Sequence, residues 1–453
     1  MASAYLRKAH EGAGNRKTFT ISAWVKRAVI GGDHTIFSQG IPGGGYYSKL
    51  RIRTDDVLQY EDIPNTGNVN LKTNKLFRDI NAWYHIVVRV DTTQSTAADR
   101  VRIYVNGTQE TSFSTANYPS QNNDQQANEN SSMSVTVGGR TAVNGAYWDG
   151  QMAHVHYSDG QSYAPTTFGE TDSNGVWIPK TSPTVSYGVN GFFLKFDNDS
   201  NMGLDSSGQS HNLTTTGTII QNKDTPSNVH CVLNDIDKRF DDTTLTNVGL
   251  TVSGGRISTG FDMIRGTLGA DSGKWYFEMK AADNAEIDQV GIGILNNISM
   301  QNEGANGFNG NTQGYGVQMS NGYKVGVGQS GAAYMGGFTT NDICMIAVDL
   351  ENDKITFGRN GQWANGSGGA DQTYANSTAA FTGLNDTRGY IPMFANRNSG
   401  NNNTGIMHFN FGNGYFGTTK ITSAGSNGNG SLFEYDVPTG FYAWNTKNLK
   451  DQS

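Results

Sequence analysis

Apolar and polar residues alternate over short stretches along most of the chain. In residues 17–27, KTFTISAWVKR, the apolar Phe19, Ile21 and Val25 alternate with polar neighbours, a period of two that is typical of a β-strand. Residues 83–109 contain two further stretches of this kind, and Asn106-Gly107 at their end is a strong signal for a two-residue hairpin turn. No long window has the 3.6-residue period of a helix. We therefore predict an all-β protein.

The same hairpin pattern occurs a second time, far along the chain. HIVVRVD followed by RVRIYVNGTQ, within residues 85–109, lines up with CMIAVDL followed by DKITFGRNGQ, within residues 344–362. In each copy an apolar strand ends near an aspartate, Asp91 or Asp349, and the next strand runs into Asn-Gly. Any antiparallel hairpin can share one of these features, but the shared order favours an architectural repeat. We predict two antiparallel β sandwiches of the same kind in tandem.

The polar, weakly patterned stretch between the two blocks sets the domain boundaries. We predict a first domain at residues 1–203, an extended junction at 204–245 and a second domain at 246–453.

Composition agrees with short strands joined by tight turns. The chain has 58 glycines, 36% hydrophobic and 16% charged residues, and 11% aromatic residues, which is too aromatic for a disordered chain. The net charge is −7 and there is no block of Lys and Arg, so we expect no nucleic-acid partner. Cys231 and Cys344 lie far apart in sequence and are interpreted as buried free thiols.

The first residues, MASAYLRKAHEGAGNRK, have no apolar core, so we expect no secretory signal. No stretch approaches the roughly 18 apolar residues of a membrane helix. We therefore expect synthesis in a cytoplasm and no membrane insertion.

The second block resembles a SPRY domain, which is itself a concanavalin A-like sandwich. The resemblance lies in SGKWYFEMKA, GYGVQMSNGYKVGVG, NDICMIAVDLENDKITFGRNGQ, YIPMFANR and FNFG, which occur in this order between residues 272 and 412. The first block resembles the laminin-G/concanavalin A-like lectin superfamily through FTISAWVKR, WYHIVVRVDTTQSTAADRVRIYVNGTQ and YWDGQMAHVHYSDGQ. The resemblance implies two jelly-roll sandwiches of the concanavalin A type.

Three further segments, FGETDSNGVWIPK, YGVNGFFLKF and DSSGQSHNL, look like segments of lectin-like virion proteins of tailed phages. The tandem order of a lectin-like and a SPRY-like block is similar to that group. The resemblance implies a tail-fibre, tail-tip or capsid-surface protein, which would reach the virion surface by host lysis rather than secretion.

Glycoside hydrolases also occur among concanavalin A-like sandwiches. Glu286-Ile287-Asp288 resembles the start of the Glu-Ile-Asp-x-Glu strand of retaining glucanases, which need two carboxylates about 5–5.5 Å apart. The position of the second glutamate holds Val290. We therefore expect no enzyme activity.

Two short segments offer metal-binding side chains. His154 and His156 lie two apart, but no third ligand is evident nearby, and we interpret them as residues on an exposed sheet face. Residues 197–208 contain Asp197 and Asp199 but lack the glycine and glutamate of a helix-loop-helix calcium site. Laminin-G-like sandwiches often carry a calcium ion at the rim, so the resemblance makes both aspartates candidate ligands. No other cofactor is expected.

Sugar binding by a sandwich needs aromatic rings in loops, with amide and carboxylate groups beside them. The candidate residues are Tyr46, Tyr47, Tyr147, Trp148, Tyr334, Trp363 and, on the rim implied by the SPRY resemblance, Arg397. The alternative for each aromatic residue is a place in the core or in a subunit contact. Trp363, between a hairpin turn and a Gly-rich loop, is the strongest of these candidates.

Two functions stay open at this stage. The first is a virion adhesin, without enzyme activity, that recognises a host surface polysaccharide and contacts other virion proteins. The second is a capsid-decorating or tail structural protein that binds protein partners only. The resemblance implies a homotrimer at the virion surface in either case.

Overall fold

The computed structural model describes residues 4–63, 68–141, 145–238, 243–254, 261–283, 288–294, 308, 314–327, 329–384, 388–396, 405–422 and 424–452. The chain divides into two compact units, Met1–Gln221 and Asn222–Ser453. Predominantly antiparallel strands build both units, which confirms the all-β prediction.

In its described residues, the first unit contains strands β1 to β16 and one short helix. The strands are β1 Tyr5–Ala9, β2 Thr18–Arg27, β3 His34–Gly40, β4 Tyr47–Ile52, β5 Val57–Ile63, β6 Val69–Leu76, β7 Tyr84–Asp91, β8 Val101–Val105, β9 Thr108–Gln109, β10 Phe113–Asn117, β11 Ser134–Val137, β12 Gly150–Asp159, β13 Gly169–Thr171, β14 Trp177–Pro179, β15 Phe192–Leu194 and β16 Thr214–Thr216. The helix α1 spans Ala97–Arg100, and a 3-10 turn spans Pro165–Thr167.

Two sheets form the sandwich of the first unit. One has the strand order β10-β6-β5-β4-β3-β11-β1-β16, and the other has the order β15-β12-β2-β7-β8-β9. The core between them is apolar, with Phe19, Ile21 and Val25 of β2 fully buried, as their alternation indicates.

The second unit contains strands β17 to β35. They are β17 Leu233–Lys238, β18 Thr243–Thr246, β19 Thr251–Gly254, β20 Asp262–Gly266, β21 Lys274–Ala281, β22 Gln289–Ile294, β23 Gly314–Gln318, β24 Lys324–Gly326, β25 Gln329–Ala332, β26 Ile343–Asp349, β27 Lys354–Arg359, β28 Gln362–Ala364, β29 Ala370–Gln372, β30 Phe381–Thr382, β31 Tyr390–Asn396, β32 Met407–Asn410, β33 Tyr415–Phe416, β34 Thr419–Lys420 and β35 Tyr442–Ala443. A 3-10 turn spans Tyr374–Asn376, and the helix α2 spans Thr446–Gln452.

The second sandwich also has two main sheets. One has the order β17-β20-β31-β22-β23-β24-β25, and the other runs β18-β19-β32-β21-β26-β27-β28-β29, with β30 and β35 added beside β27 and β21. Trp275, Phe277 and Met279 of β21 point into the core between them. Within the described residues, neither α1 nor α2 has the length and apolar character needed to cross a bilayer.

The repeated hairpin is present in both units with the same local geometry. β7 pairs with β8 in the first unit, and β26 pairs with β27 in the second. Asn106 and Asn360 both have φ near +50°, and in each case the side-chain Oδ1 accepts a hydrogen bond of 2.8 Å from a backbone N–H of the preceding strand, that of His85 or Ile343. The Asn-Gly pair therefore forms the same type of hairpin turn in both units.

The segment 204–245 is shared between the two units. Its first part supplies β16, which pairs with β1, and Leu213, which is buried in the first core. Its second part supplies β17, which pairs with β20, and Cys231, which is buried in the second core. Cys231 and Cys344 are both buried free thiols, as expected.

Candidate functional site

The outer face of one sheet in the second unit is covered by residues 424–443, which we call the C-terminal cover. Strand β21 is buried on both faces for this reason: Trp275 and Phe277 pack in the sandwich core, whereas Tyr276 and Glu278 point outward under the cover. The apolar cluster between sheet and cover consists of Tyr276, Met345, Ala347, Trp363, Phe433, Val437, Phe441 and Ala443, with Tyr374 and Tyr435 at its edge.

A cleft of about 630 Å³ opens between the C-terminal cover, the hairpin turn at Gly361 and the 3-10 turn Tyr374–Asn376. This volume is within the range of about 300–1,000 Å³ that is usual for small-ligand sites. The lining residues are Gly361, Trp363, Thr373, Tyr374, Ala375, Ala424, Gly425, Ser426, Asn427, Glu434, Tyr435, Asp436, Val437, Pro438 and Thr439.

Aromatic rings form one side of the cleft. Trp363 is only 4% exposed and meets the ring of Tyr374 edge-on at 5.0 Å between centroids. Tyr374 and Tyr435 are half-buried, and both line the cleft. Tyr435 lies over Gly361, where an added Cβ would come 3.1 Å from its Cδ1 atom. The absence of a side chain at this turn therefore makes room for the ring.

Two carboxylates, those of Glu434 and Asp436, also line the cleft. Glu434 accepts a hydrogen bond from the backbone N–H of Thr422 at 2.8 Å, and Asp436 accepts one from the backbone N–H of Ser426 at 2.6 Å. The latter bond lowers the pKa of Asp436, which is exposed and therefore ionised at neutral pH. None of the lining residues that the structure describes is a lysine or an arginine.

Glu278 lies beneath the cleft and holds the backbone of the lining residues Glu434 and Tyr435 through hydrogen bonds. Its side chain is fully buried and accepts the backbone N–H groups of Glu434 (2.9 Å) and Tyr435 (3.0 Å). Tyr276 donates its hydroxyl at 3.0 Å, and Asn410 donates its amide at 3.2 Å. Burial raises the pKa of Glu278 to about 7, although the hydrogen bonds oppose this shift.

Of the two aromatic residues of the second unit that are predicted as sugar contacts, one lines the cleft and the other is buried in the sandwich core. Trp363 lines the cleft, but most of its ring belongs to the core beneath it. Tyr334 is 2% exposed, and its hydroxyl donates to the carbonyl of Thr378 at 2.6 Å. The prediction of Tyr334 as a ligand contact is wrong, because its ring is packed in the sandwich core.

Two of the first-unit candidates are adjacent in sequence but differ in exposure. Tyr46 is 47% exposed. Tyr47 is half-buried, with the Nζ atom of Lys49 at 4.8 Å and the guanidinium of Arg140 at 5.2 Å from its ring centroid. The cations occupy ring surface that a sugar would need, and the role of both tyrosines as sugar contacts stays a prediction.

The other first-unit pair is partly enclosed. Tyr147 stacks on Tyr5 with 5.9 Å between ring centroids. Trp148 packs against the sandwich core and meets His34 edge-on. Neither residue lines the cleft of the second unit, and their proposed role also stays a prediction.

The remaining candidates concern metals, the rim and catalysis. Arg397 and Glu286 lie outside the described residues, and Val290 is fully buried. Asp197 and Asp199 are exposed, and no group of three or more His, Cys, Asp or Glu side chains within the described residues could hold a metal ion. Calcium binding at the two aspartates stays a prediction.

The interpretation of His154 and His156 as residues on an exposed face is wrong for His156. Its side chain is 1% exposed, stacks on Phe193 at 3.8 Å between centroids and hydrogen-bonds to the hydroxyl of Tyr187 at 2.9 Å. Phe193 is the cross-strand neighbour of His156 on β15, and the ring of Phe168 also contacts the imidazole at 5.0 Å between centroids.

Sequence reasoning missed Glu278 and most of the cleft. One signal was available: in residues 433–437, FEYDV, apolar or aromatic residues alternate with Glu434 and Asp436, which indicates an extended segment with one face buried. The local pattern does not indicate which part of the fold packs against that buried face.

Comparison with known families agrees with this architecture. Residues 2–162 match the concanavalin A-like lectin/glucanase superfamily, and residues 274–413 match the SPRY domain. The chain therefore carries a concanavalin A-like domain followed by a SPRY domain. The C-terminal cover lies beyond the matched SPRY residues, so the cleft is built partly by residues outside the matched domain.

Solved structures that match parts of the chain have low identity and low TM-scores. The SPRY domain of human HERC1 is 14% identical, with 39% of this chain and 96% of that chain covered and a TM-score of 0.30. The SAP-like pentraxin from Limulus polyphemus is 13% identical, with coverage of 41% and 88% and a TM-score of 0.28. These scores are too low to support an inference about function. None of the curated proteins matches the chain.

Proposed function

We propose that this protein is a non-enzymatic surface protein of a tailed-phage virion, a tail-fibre or tail-tip adhesin that binds a host surface glycan. The cleft of the second unit is the binding site in this proposal. The observation that carries it is the presence of half-buried tyrosine residues and carboxylates together in the lining of one open cleft. Rings stack on the apolar face of a sugar, and carboxylates accept hydrogen bonds from its hydroxyl groups.

The virion context rests on the sequence resemblance to lectin-like phage proteins and on the tandem order of the two domains. In this setting the protein sits at the virion surface, contacts other virion proteins and assembles as a homotrimer. The first unit would then supply either a second sugar site or a contact with a virion protein.

The experiment is a binding measurement with immobilised bacterial surface polysaccharides, using the wild-type chain and two variants. Tyr435→Ala removes a ring from the cleft, whereas Tyr323→Ala removes a 39% exposed ring of the same unit that does not line it. We expect saturable binding by the wild type and Tyr323→Ala, and a loss of at least about tenfold in Tyr435→Ala.

A thermal melt of each variant separates loss of the site from loss of the fold. If no polysaccharide binds to the folded wild type, the adhesin proposal fails. The alternative, a capsid-decorating or tail structural protein, would then explain the two sandwiches.

A further inference from the structure

The charges around the cleft define the class of sugar that it accepts. Glu434 and Asp436 are its charged lining residues within the part of the chain that the structure describes. Asp342 adds a third carboxylate close to the turn, since it accepts the side-chain amide of Asn360 at 2.6 Å. Its pKa is lowered despite partial burial, because the backbone N–H of Thr339 and the amide of Asn360 hydrogen-bond to it.

Two cations near this region, Arg359 and Lys354, are already engaged. Arg359 donates to the carbonyl of Gly337 and also lowers the pKa of Asp342. The Nζ atom of Lys354 lies 5.9 Å from the ring centroid of Tyr374 and 4.0 Å from the carboxylate of Asp349. An acidic sugar in the cleft would therefore face the carboxyl groups of Glu434 and Asp436, and it would find no arginine or lysine among the described lining residues.

A positively charged ligand would instead be attracted by these carboxylates. Tyrosine faces attract cations through their ring quadrupole, and Tyr435 lines the cleft between the two carboxylate residues in sequence, whereas Lys354 already lies over the ring of Tyr374. An ammonium group on a sugar could donate to a carboxylate such as that of Asp436, while the ring carbons of the same sugar pack on a tyrosine.

From this arrangement we infer that the cleft selects glycans without acidic groups and binds a sugar with a free amino group more tightly than its N-acetylated counterpart. This inference rests on the proposed function, because it specifies the ligand of the same site. It assigns the discrimination to Asp436 and Glu434 and the stacking to Tyr435.

The test uses three oligosaccharide probes of equal length: glucosamine oligomers, the matching N-acetylglucosamine oligomers and oligogalacturonate. Binding to the full chain is measured by calorimetry at slightly acidic pH, where the amine is protonated. We expect the amino form to bind at least about fivefold more tightly than the acetylated form, and oligogalacturonate to bind at least about tenfold more weakly than either.

Two variants assign the effect to the cleft. Asp436→Asn should reduce the preference for the amino form, whereas Asp451→Asn, which removes an exposed carboxylate that does not line the cleft, should leave the preference unchanged. This control also accounts for attraction of the amino oligomer to the overall negative charge of the chain.

The failures of the two proposals are distinguishable. Binding that is lost in Tyr435→Ala but is strongest for oligogalacturonate would overturn the charge selectivity and leave the adhesin proposal standing. A preference for the amino form that survives Asp436→Asn, or that falls equally in Asp451→Asn, would also overturn this inference. If no oligosaccharide or polysaccharide of any charge binds, both proposals fall.

Discussion

The carboxylate of Glu278 accepts the backbone N–H of Tyr435 at 3.0 Å, so a side chain in the middle of a sheet positions one wall of the cleft. The neighbouring N–H of Glu434 reaches the other oxygen at 2.9 Å. The carboxylate thus holds the C-terminal cover on the sheet at the place where the cover supplies cleft residues.

Replacing Glu278 with glutamine should change how stability depends on pH. The folded-state pKa of about 7 is above the usual value of 4.5, so the folded state binds the proton more tightly than the unfolded state does. The stability from this group is present below pH 4.5 and is lost as pH rises toward 7, at up to about 1.4 kcal/mol per pH unit. In Glu278→Gln this part of the slope should disappear in denaturant titrations.

Asp62 of the first unit provides the control for this measurement. Its pKa is also raised to about 7 by burial, so Asp62→Asn should remove a separate contribution of the same sign. Wild-type pH dependence in Glu278→Gln would contradict the role of this carboxylate.

Gly361→Ala should weaken both the fold and glycan binding. The residue has φ +85°, a region that costs a residue with a side chain about 1–2 kcal/mol, and the new Cβ would press on the ring of Tyr435. The matched control is Gly107→Ala in the first unit, where φ is +80° and the added Cβ would lie 3.1 Å from Trp177. Both variants should lose similar stability, but only Gly361→Ala should lose affinity; an equal loss of affinity in Gly107→Ala would contradict the assignment of the site.

The hairpins could be predicted because their determinants are local. Asn106-Gly107 and Asn360-Gly361 specify the turn by themselves, and the flanking alternation specifies the strands. Strands β5 and β6 were not predicted. Their outward residues are polar and take part in cross-strand contacts such as the 2.8 Å ion pair between Lys49 and Glu61, which no local pattern reveals.

The cleft could be predicted only in part for the same reason. Trp363 was indicated by its place after a turn, and it does line the cleft. Glu278 looks like an ordinary outward-facing residue of β21, because the segment that buries it comes 156 positions later in the chain. Burial of a sheet face by a segment that is distant in sequence depends on tertiary packing, so the sequence pattern around Glu278 does not indicate it.

The main effect of Trp363→Ala should be a loss of folding stability, and any loss of binding should follow from that loss. The ring is 4% exposed and packs against Tyr276, Tyr374 and the C-terminal cover, so its removal should cost about 3–5 kcal/mol. Trp363→Phe should retain more of this packing and more of the affinity. Thermal melts recorded beside the binding isotherms check this; full stability combined with lost binding in Trp363→Ala would instead make the ring a direct ligand contact.

Acid should destabilise the first unit through its buried histidines. Burial lowers the pKa of His85 to about 3 and that of His154 to about 4, from the usual 6.5. Between those values and 6.5 the unfolded state binds more protons, so the unfolding free energy falls as pH drops, by up to about 1.4 kcal/mol per pH unit for each histidine. His154→Asn tests this, because asparagine tolerates the φ of +46° at that position. Urea titrations across this pH range should show a shallower loss of stability in His154→Asn than in the wild type, and equal slopes would mean that His154 titrates normally in the folded protein.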